Sequence, residues 1–377
     1  MATNMRSFRE EQTYSEVRRL SHAGLEATEL MQRVARALHR AIPFEMYSAA
    51  TIDPASNLIT NAFAAQMSGG NEQLRPVNPK WFEHFYFEET FDKTRELVQR
   101  KQWATTLDAE TNGRPDWSLC YRESMRPAGI EHKAHTVFVD RSLWGDMELY
   151  RATGSPSFST REVDILRRVA PDVGAGLKFS ALRNRALSPE ADDTTPGVLV
   201  VDQLGRVSGT PAAEELLAEF GDRQAHRHDV DHLPTAVQVV LRALQRSLKA
   251  DLSGQANVAP RLRVRGRSGR WLALHAACSE ATDARPAERL VVIAPAPPQE
   301  LMWLGMSAYD LSSREEDVVK LVVGGLSTKQ IADRLFIAEH TVQRHLTNIF
   351  EKVGVRSRRE LVKQLFFQQV LPSAGAA

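Results

Sequence analysis

The chain has 377 residues, of which 42% are hydrophobic and 25% charged, enough for two or three domains with cores of their own, and its formal net charge is +1. That near-neutral balance excludes a protein that holds nucleic acid by bulk charge, so any basic footprint must be local. Cys120 and Cys278 show neither CxxC nor CxxCH spacing, which excludes a zinc knuckle and c-type haem attachment and fits a reducing cytosol.

The N-terminus, MATNMRSFREEQTYSEVRRL, lacks the apolar core of a signal peptide, and no apolar run approaches the roughly 20 residues that cross a bilayer. A soluble, cytoplasmic protein with no membrane partner is expected. From about Glu11 to Ile42, Val17, Leu20, Leu25, Leu30, Met31, Val34 and Leu38 trace one helical stripe that Pro43 closes. Strand-like pieces at Met46 to Asp53 and Leu58 to Phe63 flank a turn-forming Pro-Ala-Ser-Asn segment. An irregular middle holds Trp81, Phe82, Phe85, Phe87, Phe91 and Trp103. Strands follow at His135 to Asp140 and Trp144 to Ala152. A long helix then starts at Ser159, capped by a Ser-x-x-Glu box with Glu162, and runs past Pro171 toward Leu187. This order predicts an α+β domain.

LSPEADDTTP, from Leu187 to Pro196, reads as a linker. Beyond it, GVLVVDQLGRV makes two strands about a turn at Gln203 to Gly205. PAAEELLAEF makes a short helix and LPTAVQVVLRALQRSL a longer one. Three strands are expected at Arg261 to Arg267, Trp271 to Glu280 and Leu290 to Pro295. PAPPQE, from Pro295 to Glu300, is a second, stiffer linker. The expected boundaries are a first domain at 1–187, a linker at 188–196, a second domain at 197–296, a linker at 297–308 and a final all-α domain at 309–377.

In that final block three helices begin with Ser followed three residues later by Glu or Gln: Ser312 with Glu315, Ser327 with Gln330, and Ser357 with Glu360. Between the second and fourth helices Val342, Leu346, Ile349, Phe350 and Val353 fall on one helical side, while His340, Thr341, Arg344, Thr347, Asn348 and Lys352 occupy the other. Lys and Arg outnumber Asp and Glu by six to two from His340 to Lys363, against four to six from Asp310 to Glu339. The positive charge is therefore confined to the last two helices.

The phrases LSSRE, GLSTKQIADRLFI, TVxxHLxNIFxKxGV and SRRELV make this block resemble the LuxR-type (GerE-like) helix-turn-helix along its whole length. The resemblance implies a four-helix head that binds double-stranded DNA through a helix from about Glu339 to Val353. It implies base contacts from Gln343 and Arg344, with Thr347 one turn on; Thr341, His345 and Lys352 suit phosphates, and Lys329 and Asn348 complete the DNA-binding set. The family usually has Ser where Ala338 stands and often Lys where Gln343 stands. It also implies a homodimer reading an inverted repeat, joined through Leu361, Val362, Leu365 and Phe366 of the fourth helix, of which Leu361 and also Leu365 could instead complete the domain's own core, with RNA polymerase as a further partner.

The first domain resembles a GAF domain in element order and in LYRATGSPSFSTREVDILRRVAPDVGAGL, and the second resembles a PAS domain, with Thr210 near the position where that family carries Asn. The fold expected is thus multidomain α+β with an all-α head. These likenesses imply a small-molecule effector, with Trp81, Phe85, Phe87, Trp103, Trp117 and Tyr121 as candidate pocket residues. The rings could equally fill a core, and the two domains could serve dimerisation or protein interaction alone. HRHDVDH, with His226, His228 and His232, fits no common zinc spacing. Gly174 and Gly176 lie within a helical pattern and make no dinucleotide fingerprint, and no P-loop occurs. No catalytic residue, metal ligand or cofactor is expected.

Overall fold

A computed structural model describes residues 2–67, 74–75, 90–186, 195–220, 232–253, 260–279, 286–297, 300–301, 306, 309 and 311–367. They fall into two units, Met1–Arg183 with Asp193–Pro295, and Asn184–Asp192 with Ala296–Ala377.

The first unit begins with two helices, α1 (Ala2–Ser21) and α2 (Ala27–His39), where the stripe predicted one. Gly24 lies at φ 65°, a left-handed turn that an uninterrupted helix does not allow. The strands are β1 (Met46–Asp53), β2 (Leu58–Gln66), β3 (Leu74–Arg75), β4 (Ala104–Thr106), β5 (Ile130–Asp140) and β6 (Ser142–Ala152). They form an antiparallel sheet in the order β3-β2-β1-β6-β5-β4. Helix α3 (Thr90–Gln99) precedes β4, and α4 (Thr160–Ala186) follows β6.

One face of this sheet meets helices. A Cβ at Gly145 of β6 would sit 2.7 Å from Met31 of α2 and 3.0 Å from Leu177 of α4. Of the residues that share this face, Tyr47, Ala49, Ala134, Phe138, Met147 and Leu149 are apolar or aromatic and buried, and Thr136 is the buried polar member among them. Gly174 explains part of the glycine pair in α4, because a Cβ there would strike the Val139 backbone at 2.6 Å. The start of α4 is fixed as the Ser-x-x-Glu box predicts. The Ser159 N–H donates to Glu162 Oε2 at 2.8 Å, and the Glu162 N–H donates to Ser159 Oγ at 3.4 Å. Arg151 of β6 locks the approach to it by donating to the carbonyls of Pro43, Pro156 and Ser157 and to Glu162, while its guanidinium stacks on Phe158.

The second sheet belongs to the same unit. Its strands β7 (Gly197–Val201), β8 (Val207–Gly209), β9 (Arg261–Arg265), β10 (Trp271–Cys278) and β11 (Arg289–Pro295) run antiparallel in the order β8-β7-β11-β10-β9. Between β8 and β9 lie α5 (Pro211–Leu217), capped by the Thr210 side chain, and α6 (Thr235–Ser253). Helix α6 packs on β10 of its own sheet and on β2 of the first. A single core therefore joins Ile52, Leu58, Ala62 and Val137 to Val237, Val240, Leu272 and Ile293. At its edge buried Asp53 accepts from Arg263 through the backbone N–H at 3.3 Å, Nε at 3.2 Å and Nη2 at 2.8 Å. Two antiparallel α/β sheets thus share one interior.

The second unit is the four-helix head, α7 (Ser313–Val323), α8 (Thr328–Leu335), α9 (Glu339–Val353) and α10 (Arg358–Phe367). Among the described residues no helix is long and apolar enough to cross a membrane.

Candidate nucleic-acid interface

The head is built on its caps. Ser312 and Ser327 each accept the N–H three residues on, and Glu315 and Gln330 reach back to the serine N–H at 2.7 and 2.8 Å. Ser357 caps α10 in the same way, but the Glu360 carboxylate accepts from the Arg356 N–H, one residue earlier than the box predicts. Gly325 at φ 82° and Gly354 at φ 74° supply the left-handed conformations that let α7 and α9 stop. The turn between α8 and α9 is closed by the Ile337 N–H on the Ala332 carbonyl, and there Phe336 is itself left-handed at φ 55° with 95% of its surface exposed. Ala338 caps α9 with no side-chain bond.

These devices hold α9 with Val342, Leu346, Ile349 and Val353 inside the head's core. The opposite face then projects outward: Gln343, Arg344, Thr347 and Asn348 are exposed, Thr341 and His345 are half-buried at its flanks, and Lys329 is exposed on α8. Thr347 Oγ1 donates to the Gln343 carbonyl at 3.1 Å, a bond within its own helix. The arrangement presents an amide, a guanidinium and a second amide in about one turn of helix, the groups that read base edges in a major groove.

Two sequence expectations take a different form. Lys352, expected to seek phosphates, donates from Nζ to Glu315 Oε2 at 2.7 Å and thereby ties α9 to the start of α7. The Glu315 carboxylate is pushed up by burial, but Lys352 and the Ser312 donors more than offset that, and it is held below the usual carboxylate range. Leu361 and Leu365, expected at a dimer seam, are buried in the head's own core because a four-helix unit this small needs both to close it. Val362 is half-buried against that core, and the Phe366 side chain lies outside the described residues. Sequence reasoning also missed Arg358, whose Nη2 donates to the carbonyls of Val322 and Leu326 and pins the α7–α8 turn.

Of the aromatic pocket candidates, the three that fall within the described residues, Trp103, Trp117 and Tyr121, are not brought together. Trp81, Phe85 and Phe87 lie outside the described residues, as do His226 and His228. Trp103 packs, half-buried, on the shared core, whereas Trp117 is 63% exposed under the Arg114 guanidinium at 4.8 Å. Tyr121 is buried with Leu107, Met125 and Tyr150.

Residues 310–365 match the family described as bacterial regulatory proteins, luxR family. Over 54 residues the chain is 52% identical to a putative HTH-type transcriptional regulator of Mycobacterium bovis, a stretch that makes up 14% of this chain and 6% of that protein. The chain therefore spans only a small part of that mycobacterial relative. Over 55 residues it is 44% identical to the spore germination protein GerE of Bacillus subtilis, covering 15% of this chain and 74% of that protein. Among solved structures, Escherichia coli SdiA aligns over 92% of each chain at 11% identity with a TM-score of 0.28. The R. palustris bacteriophytochrome RpBphP3 aligns over 83% of this chain and 75% of its own at 12% identity with a TM-score of 0.33. Scores this low support no argument about the first unit. The match to GerE, which covers 74% of that protein, together with the family match over residues 310–365, places this chain in the luxR family of bacterial regulatory proteins.

Proposed function

We propose that the protein is a sequence-specific, DNA-binding transcription regulator that acts as a homodimer on an inverted repeat, with α9 in the major groove. The observation that carries this reading is the exposed row Gln343, Arg344, Thr347 and Asn348, set opposite the buried stripe of a capped helix. Gln pairs with adenine and Arg with guanine, while Lys329, Thr341 and His345 flank the row where phosphates would pass. With Leu361 and Leu365 committed to the core, the dimer contact falls to the rest of α10, including Val362. The first sheet is GAF-like and the second PAS-like, and an effector or partner bound there shifts the population of DNA-competent dimers by its differential affinity.

Arg344→Ala tests the assignment. It should weaken binding by about 1–3 kcal/mol and relax preference at one base pair, as a lost bidentate contact does. Unchanged affinity and unchanged base preference in a titration would refute the role given to α9.

A further inference from the structure

A sheet covered on both sides ordinarily turns apolar residues to both covering layers. The first sheet does so toward α2 and α4, but on its other face only where α6 packs, at Ala50, Ala62 and Val137. On its other face the register sets Ser48 of β1, Glu148 of β6, His135 of β5 and Thr105 of β4 in one row across four strands. Asp146 lies two residues along β6 on one side of that row, and Lys133 and Tyr150 pair on the other. None of Ser48, Lys133, His135, Asp146, Glu148 and Tyr150 is more than 6% exposed.

Withdrawing such groups from water costs several kcal/mol each unless they are paired. Part of the cluster is paired. Lys133 Nζ donates to Glu148 Oε1 at 3.1 Å, the Tyr150 hydroxyl donates to Glu148 Oε2, and Ser48 Oγ lies 3.0 Å from the Tyr150 oxygen. Burial alone would raise Glu148, but Lys133, His135 and Tyr150 hold it at about 2. The rest is not satisfied. Both ring nitrogens of His135 and Oδ2 of Asp146 are buried without a hydrogen-bond partner. His135 Nε2 stands 3.6 Å from Asp146 Oδ2, and Nδ1 stands 4.0 Å from Glu110 Oε1, both beyond hydrogen-bond reach. Burial raises the Asp146 carboxyl, and the His135 ring beside it offsets this only in part. Among the described residues no three His, Cys, Asp or Glu side chains converge as metal ligands. The end of this face is walled by the π-helical turn Tyr121–Met125, whose Tyr121 and Met125 pack on Tyr150; such turns concentrate at functional sites.

We infer that this polar face is a binding site for a small organic molecule bearing N–H donors, neutral or singly cationic, that gives Asp146 its missing donor and engages His135. Three carboxylates, Glu110, Asp146 and Glu148, stand against Lys133 and the imidazole, so carboxylate and phosphate ligands are disfavoured. The inference deepens the effector part of the proposed function and needs nothing from the DNA-binding part.

The full chain carrying 15N-histidine, titrated with 2-aminopyridine and with benzamidine, tests it; benzoate is the anionic control of similar size. The readouts are the His135 side-chain signals, assigned by their loss in His135→Gln, and the melting temperature, which a ligand raises by mass action. The expected result is a saturable shift of the His135 signals with an amine probe, none with benzoate, and at least tenfold weaker binding in Asp146→Asn. His135 signals unmoved by both amines, an equal response to benzoate, or undiminished binding in Asp146→Asn would overturn the inference. If Asp146→Asn does not fold, the wild-type titration with its benzoate control decides alone. No readout involves DNA, so failure here and failure of the DNA-binding reading are separate results.

Discussion

Glu315→Ala is the substitution that most sharply probes how the head holds α9. The Glu315 side chain is 4% exposed and accepts from the Ser312 N–H and the Lys352 ammonium, each at 2.7 Å. Truncation removes half of a capping box, worth about 1 kcal/mol. It also removes a charge-assisted bond, worth about 1 kcal/mol once discounted for a lysine whose side chain is 38% exposed. The sum, about 2 kcal/mol, is on the order of a 30-fold rise in local opening at 1.4 kcal/mol per tenfold. Amide hydrogen exchange of the full chain reads it in the peptides of α7 and α9. Lys352→Met, which keeps the cap bond, should produce roughly half the effect in free-energy terms. Exchange in α9 within threefold of the wild type for Glu315→Ala would refute the tether. So would a Lys352→Met protein that changes only the salt dependence of DNA binding, since that returns Lys352 to the phosphates.

Two further outcomes follow from local geometry. Ala338 sits at φ −75° and ψ 149° with no side-chain cap, so Ala338→Ser should supply an acceptor for the first turn of α9 and stabilise the head by about 1 kcal/mol, read as slower exchange in α9. In the first unit Glu148 is held at about 2 against an ordinary 4.5, where burial is outweighed by Lys133, His135 and Tyr150. A carboxylate so depressed contributes stability that is fully present above pH 4.5 and is lost as the pH falls toward 2. His135 works in the opposite sense: burial lowers it, Asp146 and Glu148 raise it more, and its contribution is present below the ordinary 6.5 and is lost as the pH rises through the raised value. Denaturant unfolding across a pH series should show both limbs, and Glu148→Gln should abolish the acidic one.

The helix starts were legible because a Ser-x-x-Glu or Ser-x-x-Gln box is a local device whose partners lie within one turn; Ser312, Ser327 and Ser159 all formed as read. The exposed face of α9 was legible for the same reason, through the spacing of Val342, Leu346, Ile349 and Val353. What escaped depends on distant partners. Lys352 looked like an outward cation, and its acceptor lies 37 residues upstream. Leu361 and Leu365 could serve a dimer seam or the head's own core, and only the other three helices show that both close the core. The stripe from Val17 to Leu38 continued through Gly24 because α1 and α2 both bury apolar sides, so periodicity alone did not register the reversal. The strands holding His135, Asp146 and Glu148 were legible as strands, but that their polar residues share one covered face shows only in the tertiary structure.

Selection of bound duplexes from a random pool by the full chain tests the central claim most directly. The expected result is enrichment of an inverted repeat whose half-sites lie roughly 10 base pairs apart, centre to centre, each with a guanine whose enrichment disappears in Arg344→Ala. A pool that stays random, or one that enriches the same bases with and without Arg344, would contradict it.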